Sequence, residues 1–545
     1  LRQLHALVAN RRLQDDLHRI NSDLERLVGE RTAELARAQQ RIAEGERLEA
    51  VGRVAGAVAH DFNNILTAVS GHAELARMRS DDPAILRELI RCGMNVARLN
   101  FSHGTHAEHA ERIKRIRQIS QELDITISIL QDLQGPKLRV GTLPPEGIFL
   151  KAGQEVILKP AEEASISENQ TVIPMDVPNL VNNVIPGNRI LLDDGNLEIV
   201  VTKVTSDSVF TEVLIGGKLT SNKGVNLPGS NLGIPSFTKK DHEDLVFGLQ
   251  QDIDFVAISF VSTAEDIHNV RRKIKEIDPS KANTPIIAKL ERPLAIQNMD
   301  EIIQAADGVM VARGDLGVET SPAAVPIIQK RIIETANIYK KVVITATQML
   351  DSMINNPRPT RAEASDVANA IFDDTDAVML SGETASGKYP VKSVTTMDEI
   401  IQEAEKNFSR WGKSRGADDI SDIDALSITQ AANSLAHDRN VQYIVVFTRS
   451  GKTALLMSKA RPCVPIIAFT PEKSTYQRMA LFWGVTPVLV PSASTVETML
   501  SYVETALLTR TNIKPGQQVV IISSYPVGAF LPANLILLHT IGKPI

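Results

Sequence analysis

Apolar positions change their spacing twice along this chain. At Leu13, Leu17, Ile20, Leu24 and Leu27 they step by alternating four and three residues, the seam of a coiled coil. Leu35, Ala38 and Ile42 resume that spacing after a one-residue shift, and Arg, Glu and Gln fill the other faces. Residues 51–76, VGRVAGAVAHDFNNILTAVSGHAELA, are apolar at helical spacing and predict a continuation of the helix. Asp81-Asp82-Pro83 breaks it and starts another, with Asp82 at the N-cap and Pro83 in the first turn.

The texture then turns to short β-rich runs alternating with helical segments. Such runs are Asn95–Phe101, Ile125–Asp132, Phe255–Phe260, Pro285–Leu290, Gly308–Gly314, Lys341–Thr347 and Asp376–Gly382. Most are nearly continuously apolar, as strands covered on both faces must be, so a parallel α/β sheet is expected. Each ends in polar or charged residues, which predicts an active site at the C-terminal mouth of a (β/α)8-type barrel. Seven strands are counted where closure needs eight. A helix at Ala84–Arg91 stands in the first-helix position with no strand before it, so the expected barrel lacks its first strand.

Residues 137–236, bracketed by Pro136 and Pro235, interrupt the alternation with Gly, Pro and Asn and short β-like runs. They predict an inserted β-barrel domain in one barrel loop. From about 420 another α/β unit follows, with runs at Tyr443–Phe447, Val464–Phe469, Thr486–Val490 and Gln518–Ile522. The expected organisation is a long helix and coiled coil at 1–80, barrel parts at 84–136 and 237–410, the insert at 137–236 and the last domain at 420–545.

Composition narrows the function classes. A net charge of −6 and 4% aromatics give neither a broad cationic surface nor a base-stacking one, so no nucleic acid is expected. No apolar run of about 18 residues exists, so no membrane span is expected. Two cysteines, Cys92 and Cys463, suit a reducing cytoplasm rather than a disulfide framework. No signal peptide is visible, and the chain opens on Leu1, so the natural start is expected upstream.

Four strand ends carry chemistry. NVARLNFSHG holds Arg98, Asn100, Ser102 and His103; AKLER holds Lys289 and Glu291; VARGDLG holds Arg313, Gly314 and Asp315; TATQML holds Thr347. Alone, each reads more readily as a buried salt bridge or a helix cap than as function; together at one end of parallel strands they read as a site. Glu291 and Asp315 offer oxygen ligands to Mg²⁺ or Mn²⁺. Lys289, two positions before Glu291, shares its strand face. Arg98 offers a fork suited to phosphate, and Gly314 lets backbone N–H groups approach an anion. Metal, Lys and Arg together are the charges phosphoryl transfer needs.

NVARLNFSHG, QDLQGPKLR, KGVNLPG, AKLER, MVARGDLGVE, TATQML, PRPTRAEASDVANA and DAVMLSGETASGKYP together resemble the pyruvate kinase family over about residues 84–545. The resemblance implies transfer of phosphoryl from phosphoenolpyruvate to ADP. Lys289 would bridge the migrating group, Glu291 and Asp315 would ligate Mg²⁺, and Arg98 would hold the substrate phosphate. Thr347 and the backbone of Gly314 and Asp315 would grip its carboxylate. Protonation of the enolate would come from a water near Thr347, in a network reaching Ser381 and Glu363. Asn100, His103, Arg139 and Lys223 would contact the nucleotide, and the insert would close as a lid.

The family's K⁺ site would use Asn100, Ser102, Asp132 and a following Thr, but Leu133 stands there and Lys137 replaces the usual Glu. Activity without K⁺ is therefore expected. The loop Thr448-Arg449-Ser450-Gly451-Lys452-Thr453 reads either as an ordinary turn or as a phosphate nest for a sugar-phosphate effector. The family implies a homotetramer, to which coiled-coil pairing would add.

GRVAGAVAHDFNNILTAVSGHAELA resembles the phosphoacceptor helix of sensor histidine kinases, with His60 as acceptor, Asp61 its acid–base neighbour and Asn64 a helix-face partner. That family's ATP-binding domain is absent. The family's usual TKIVxTIGPAS-like first strand finds no match in residues 51–83. Three readings follow: a pyruvate kinase, a phosphorelay or dimerisation module built on His60, or an inactive fusion with an incomplete barrel.

Overall fold

The computed structural model describes residues 82–161, 171–228, 234–412, 423–438, 441–529 and 531–543. The coiled coil, the His60 helix and the segment where a first strand would stand lie outside these residues.

The first described element is helix α1 (Pro83–Arg91), and Asp82 caps it, its side chain accepting from the Ala84 N–H at 2.8 Å. Seven parallel strands form one sheet: β1 (Val96–Asn100), β2 (Ser128–Asp132), β3 (Phe255–Ile258), β4 (Ile286–Leu290), β5 (Gly308–Ala312), β6 (Val342–Ala346) and β7 (Ala377–Val378). They pair in chain order, each with the next. β2 to β6 are buried throughout, because helices pack on one face of the sheet and on the other the strands' own apolar side chains cluster with Leu481. Among the described residues β1 and β7 each have one neighbour.

The helices that matter to the site are α2 (His106–Leu123), α3 (Lys239–Gln250), α4 (Arg313–Glu319), α5 (Val325–Ile338) and α6 (Arg361–Phe372). Capping boxes start α2, α3 and α6, at Thr105/Glu108, Thr238/Asp241 and Thr360/Glu363.

Between β2 and β3 the chain builds a second seven-strand sheet. Its order runs Val225–Asn226, Arg189–Leu192, Leu197–Val204, Val209–Ile215, Glu155–Pro160, Val172–Asp176, Arg139–Val140. All its pairs are antiparallel except Glu155–Pro160 with Val172–Asp176. It encloses its own core around Leu158, Ile173, Ile190, Leu192 and Ile199. Its Asn226 Nδ2 donates to Glu319 Oε1 at 2.8 Å, so the insert touches α4.

The last unit is a five-strand sheet of β8 (Val441–Phe447), β9 (Ile466–Thr470), β10 (Val485–Leu489), β11 (Gln518–Ser523) and β12 (Leu535–Thr540), in the order β10-β9-β8-β11-β12. β12 runs antiparallel to β11 and extends the four expected strands to five. The Thr448–Thr453 loop leads from β8 into helix α7 (Lys452–Lys459). Among the described residues no helix is long and apolar enough to cross a membrane.

Candidate active site

Because β1 to β7 are parallel, their C-terminal ends open on one side, and the chemistry-bearing residues gather there. Arg98 on β1 lies beside Asp132 at the end of β2, Nε to Oδ2 2.6 Å. Lys289 on β4 is buried and reaches three oxygens: Ser259 Oγ at 2.7 Å, Glu291 Oε1 at 2.8 Å and Asp132 Oδ1 at 3.3 Å. Arg98, Asp132, Lys289 and Glu291 are therefore one contiguous cluster.

Its electrostatics follow from burial and alternating charge. Burial opposes ionisation of both Asp132 and Lys289. Lys289 and Arg98 nevertheless hold the Asp132 carboxyl below its usual range, while Asp132 and Glu291 raise the Lys289 ammonium above its own. Both stay ionised. Glu291 Oε2 accepts from the Phe260 N–H at 2.7 Å. Glu291 Oε1 and Asp132 Oδ1 are buried, and their close partner is the Lys289 ammonium.

Asp315, in the first turn of α4, has its carboxyl pushed up to about 7, first by burial and then by repulsion from Glu291, with Asp194 and Asp132 adding to it. A buried carboxylate raised by a neighbouring carboxylate has the chemistry to fit a divalent cation held through oxygen. Among the described residues no group of three or more His, Cys, Asp or Glu forms a metal cage.

At the end of β6 the Thr347 hydroxyl accepts from the Gly314 N–H at 2.8 Å and donates to Ala346 O at 2.7 Å. Thr347 and Gln348 have φ of 69° and 54°, the left-handed region a β-branched residue rarely enters. Phe260 shares this conformation at φ 56°, which aims its N–H at Glu291.

Around His103 the charge is cationic: after burial itself, Lys137, Arg139 and Arg98 push the imidazole toward its neutral form. Lys137 Nζ donates to Ser102 O at 3.4 Å, and burial, then Arg139 and Lys240, press its ammonium down to about 8. Asn100 Oδ1 accepts from the Ser102 N–H at 3.0 Å. The Leu133 side chain is buried in the core and its carbonyl accepts from Ser259 Oγ at 2.7 Å. Lys223, in the insert, pairs with Asp193 at 2.7 Å.

Glu363 and Ser381, expected in one water network, have separate direct partners. Glu363 faces Ser352 and Thr360, accepting from both backbone N–H groups and both hydroxyls at 2.5–2.9 Å, and is not bonded to Ser381. Burial pushes its carboxyl up, but these bonds outweigh it and hold the group ionised. The carboxylate that meets Ser381 is Glu383, buried, which accepts from the Ser381 N–H at 2.7 Å and the Leu350 N–H at 3.2 Å. Glu363 was favoured because PRPTRAE is a motif, but its spacing from Thr360 is that of a capping box. Ser259 and Phe260, just past the end of β3, and Glu383, in the short helix Gly382–Ala385 after β7, are not singled out by the sequence.

The Thr448–Thr453 loop lies away from this cluster and lines a cavity of about 450 Å³ with Glu472, Ser492 and Ser524. There Arg449 pairs with Glu472 at 3.0 Å, and the Gly451 N–H donates to Thr448 Oγ1 at 3.0 Å.

A parallel α/β sheet whose mouth joins an arginine, a buried lysine and two cation-ready carboxylates defines the class, a phosphotransferase acting on small anions. Residues 71–394 match the family model for the pyruvate kinase barrel domain, and residues 426–539 that for the pyruvate kinase alpha/beta domain. The chain is 44% identical over 460 residues to a pyruvate kinase of Geobacillus stearothermophilus, covering 84% of this chain and 78% of the relative. It is 42% identical over 467 residues to one of Sporosarcina psychrophila, with 85% and 79% covered. The chain belongs to the pyruvate kinase family, and its activity is that family's phosphotransfer. The barrel match begins at residue 71, upstream of the 84 expected from the motifs.

Proposed function

We propose that phosphoenolpyruvate and ADP meet at the mouth of β1 to β7, with Arg98 holding the substrate phosphate and Lys289 spanning to the migrating phosphoryl group. The carrying observation is the buried Lys289 ammonium between Asp132 and Glu291, one residue away from the Arg98 guanidinium. As the enol oxygen–phosphorus bond breaks and the bond to ADP forms, Lys289 and Arg98 offset the charge on the equatorial oxygens. Glu291 and Asp315 would hold Mg²⁺ or Mn²⁺, which when bound supplies Lewis-acid polarisation of phosphoryl oxygens. Thr347 and the N–H groups of Gly314 and Asp315 grip the carboxylate. The enolate gains its proton at carbon from water near Thr347, with Ser381 and, in place of Glu363, Glu383 ordering that region.

Asn100, His103, Arg139 and Lys223 serve the nucleotide, a reading supported by the cationic surroundings of His103. Lys137 takes the place of K⁺: its ammonium lies on the Ser102 carbonyl, and Asn100 and Asp132 already have internal partners. The insert acts as a lid that excludes water, as its Asn226–Glu319 contact with α4 suggests. The cavity at Thr448–Thr453 takes a sugar-phosphate effector, and the chain assembles as a homotetramer. For residues 1–80 the HDFNN motif supports a coiled coil with His60 as phosphoacceptor; loss of phosphotransfer from a partner histidine kinase in His60→Gln tests that.

The catalytic reading is tested by following pyruvate formation from phosphoenolpyruvate and ADP. Lys289→Met should lower turnover by roughly a thousandfold with an unchanged circular dichroism spectrum. Near-parental turnover in that variant removes the mechanism.

A further inference from the structure

Thr347 occupies a conformation it does not choose. Its φ of 69°, followed by 54° at Gln348, puts a β-branched residue into left-handed backbone immediately after β6. Such a turn persists only when its surroundings over-determine it. The Gly314 N–H to Thr347 Oγ1 bond is one constraint and leaves the turn's carbonyl unaccounted for.

Arg313 supplies the rest. It is 8% exposed, and its guanidinium bonds the backbone of the turn. Nη2 donates to Thr347 O at 2.6 Å, and Nε to Thr347 O at 3.1 Å and Ala346 O at 3.3 Å. Nη1 donates to Asp366 Oδ2 on α6 at 2.6 Å and to Gln329 Oε1 on α5 at 3.4 Å. Every nitrogen is used inside the protein, so Arg313 is not an anion ligand although it precedes Gly314. Asp366 and Gln329 come from separate helices and fix the plane of the fork, which grips the two carbonyls on either side of the strained bond.

We infer that Arg313, anchored by Asp366, is a positioning residue that sets the substrate-carboxylate subsite by holding Thr347 in its left-handed turn. The inference rests on the reading of Thr347 as a carboxylate ligand. A lysine keeps the charge but not the planar fork, so it cannot bond both carbonyls and Asp366 together. Asp366 touches no substrate, and its removal acts only through Arg313.

The test is steady-state kinetics on Arg313→Lys, Asp366→Asn, Thr347→Ala and the Arg313→Lys/Thr347→Ala double variant. Arg313→Lys is expected to raise KM for phosphoenolpyruvate roughly tenfold, the equivalent of about 1.4 kcal/mol, with KM for ADP near the parent's. Asp366→Asn shifts it the same way by less, and provides the answer if Arg313→Lys does not fold. The double variant is expected to be no worse than Thr347→Ala alone, because both act on one group. An unchanged KM for phosphoenolpyruvate in Arg313→Lys and Asp366→Asn, an equal rise for both substrates, or additive losses in the double variant would overturn the inference. If Thr347→Ala itself leaves that KM unchanged, the carboxylate reading of Thr347 fails, and the inference fails with it for that separate reason.

Discussion

Lys137 holds its proton against its surroundings. Burial and the neighbouring Arg139 and Lys240 press its ammonium down to about 8. A lowered lysine pKa means that the charge is present below about pH 8 and lost as pH rises through it, well before a solvent-exposed lysine would lose it. If this ammonium stands in for K⁺, activity in tetramethylammonium buffer should be full at pH 7 and fall between pH 8 and 9, with K⁺ restoring part of it. Lys137→Glu should lose roughly tenfold or more in tetramethylammonium, the scale of about 1.4 kcal/mol, and recover in K⁺. Equal activity of the parent in both buffers at pH 9 would show that Lys137 is not the replacement. The residue types were legible here, because Lys137 and Leu133 depart from the family's pattern in sequence. What sequence could not give was the lowered pKa, which needs Lys240 of α3 and Arg139 of the insert brought beside Lys137.

At the scale of elements, the seven β-rich runs of the barrel all became strands; the five buried on both faces, β2 to β6, have few alternatives to a central parallel strand. The antiparallel β12 escaped notice because LILLHT is a short edge run with no helix after it. The insert was readable as β-rich but its strand order was not: pairing such as Glu155–Pro160 with Val209–Ile215 depends on long-range register. Glu363 and Glu383 show the same limit within a site. Both follow a Ser or Thr by two or three residues, but one closes a capping box at the start of α6 while the other ties the turn after β6 to the turn after β7. Glu363→Ala should therefore cost about 1 kcal/mol of stability as a lost cap and leave kcat near the parent's. Glu383→Gln should lower kcat by roughly tenfold or more, because its amide offers one acceptor where two N–H groups need one each. Urea midpoints and kcat for the two variants decide it, and the opposite pattern would restore Glu363 to the proton network.

On the scale of the whole molecule, the last sheet is joined to the barrel by charge buried at the far end of α7. Lys459 ends that helix, and its side chain is buried. It donates to Asp376, just before β7, and to Asn337 Oδ1 on α5 at 2.7 Å. Arg461 bonds Asp374 and lies 3.1 Å from Asp376, while its guanidinium stacks on Trp483, whose Nε1 donates to Glu405 Oε1 at 2.6 Å. Asp376 also accepts from the Val343 N–H on β6 at 2.8 Å, so the α7 lysine is bonded to a carboxylate that itself aligns two barrel strands. Burial lowers the Lys459 pKa and raises that of Asp374, so each charge depends on its partners to remain ionised. Deleting one charge from such a group leaves another buried and uncompensated, which costs about 3–5 kcal/mol. For Lys459→Met the lower end, about 3 kcal/mol, is expected, because Arg461 still faces Asp376. The loss falls on the joint, not within either core, so the C-terminal unit should melt first. Urea unfolding followed by Trp483 fluorescence, in a Trp411→Phe background, and by enzyme activity should then separate into two transitions. If the two probes stay coincident at the parental midpoint, this cluster does not hold the units together.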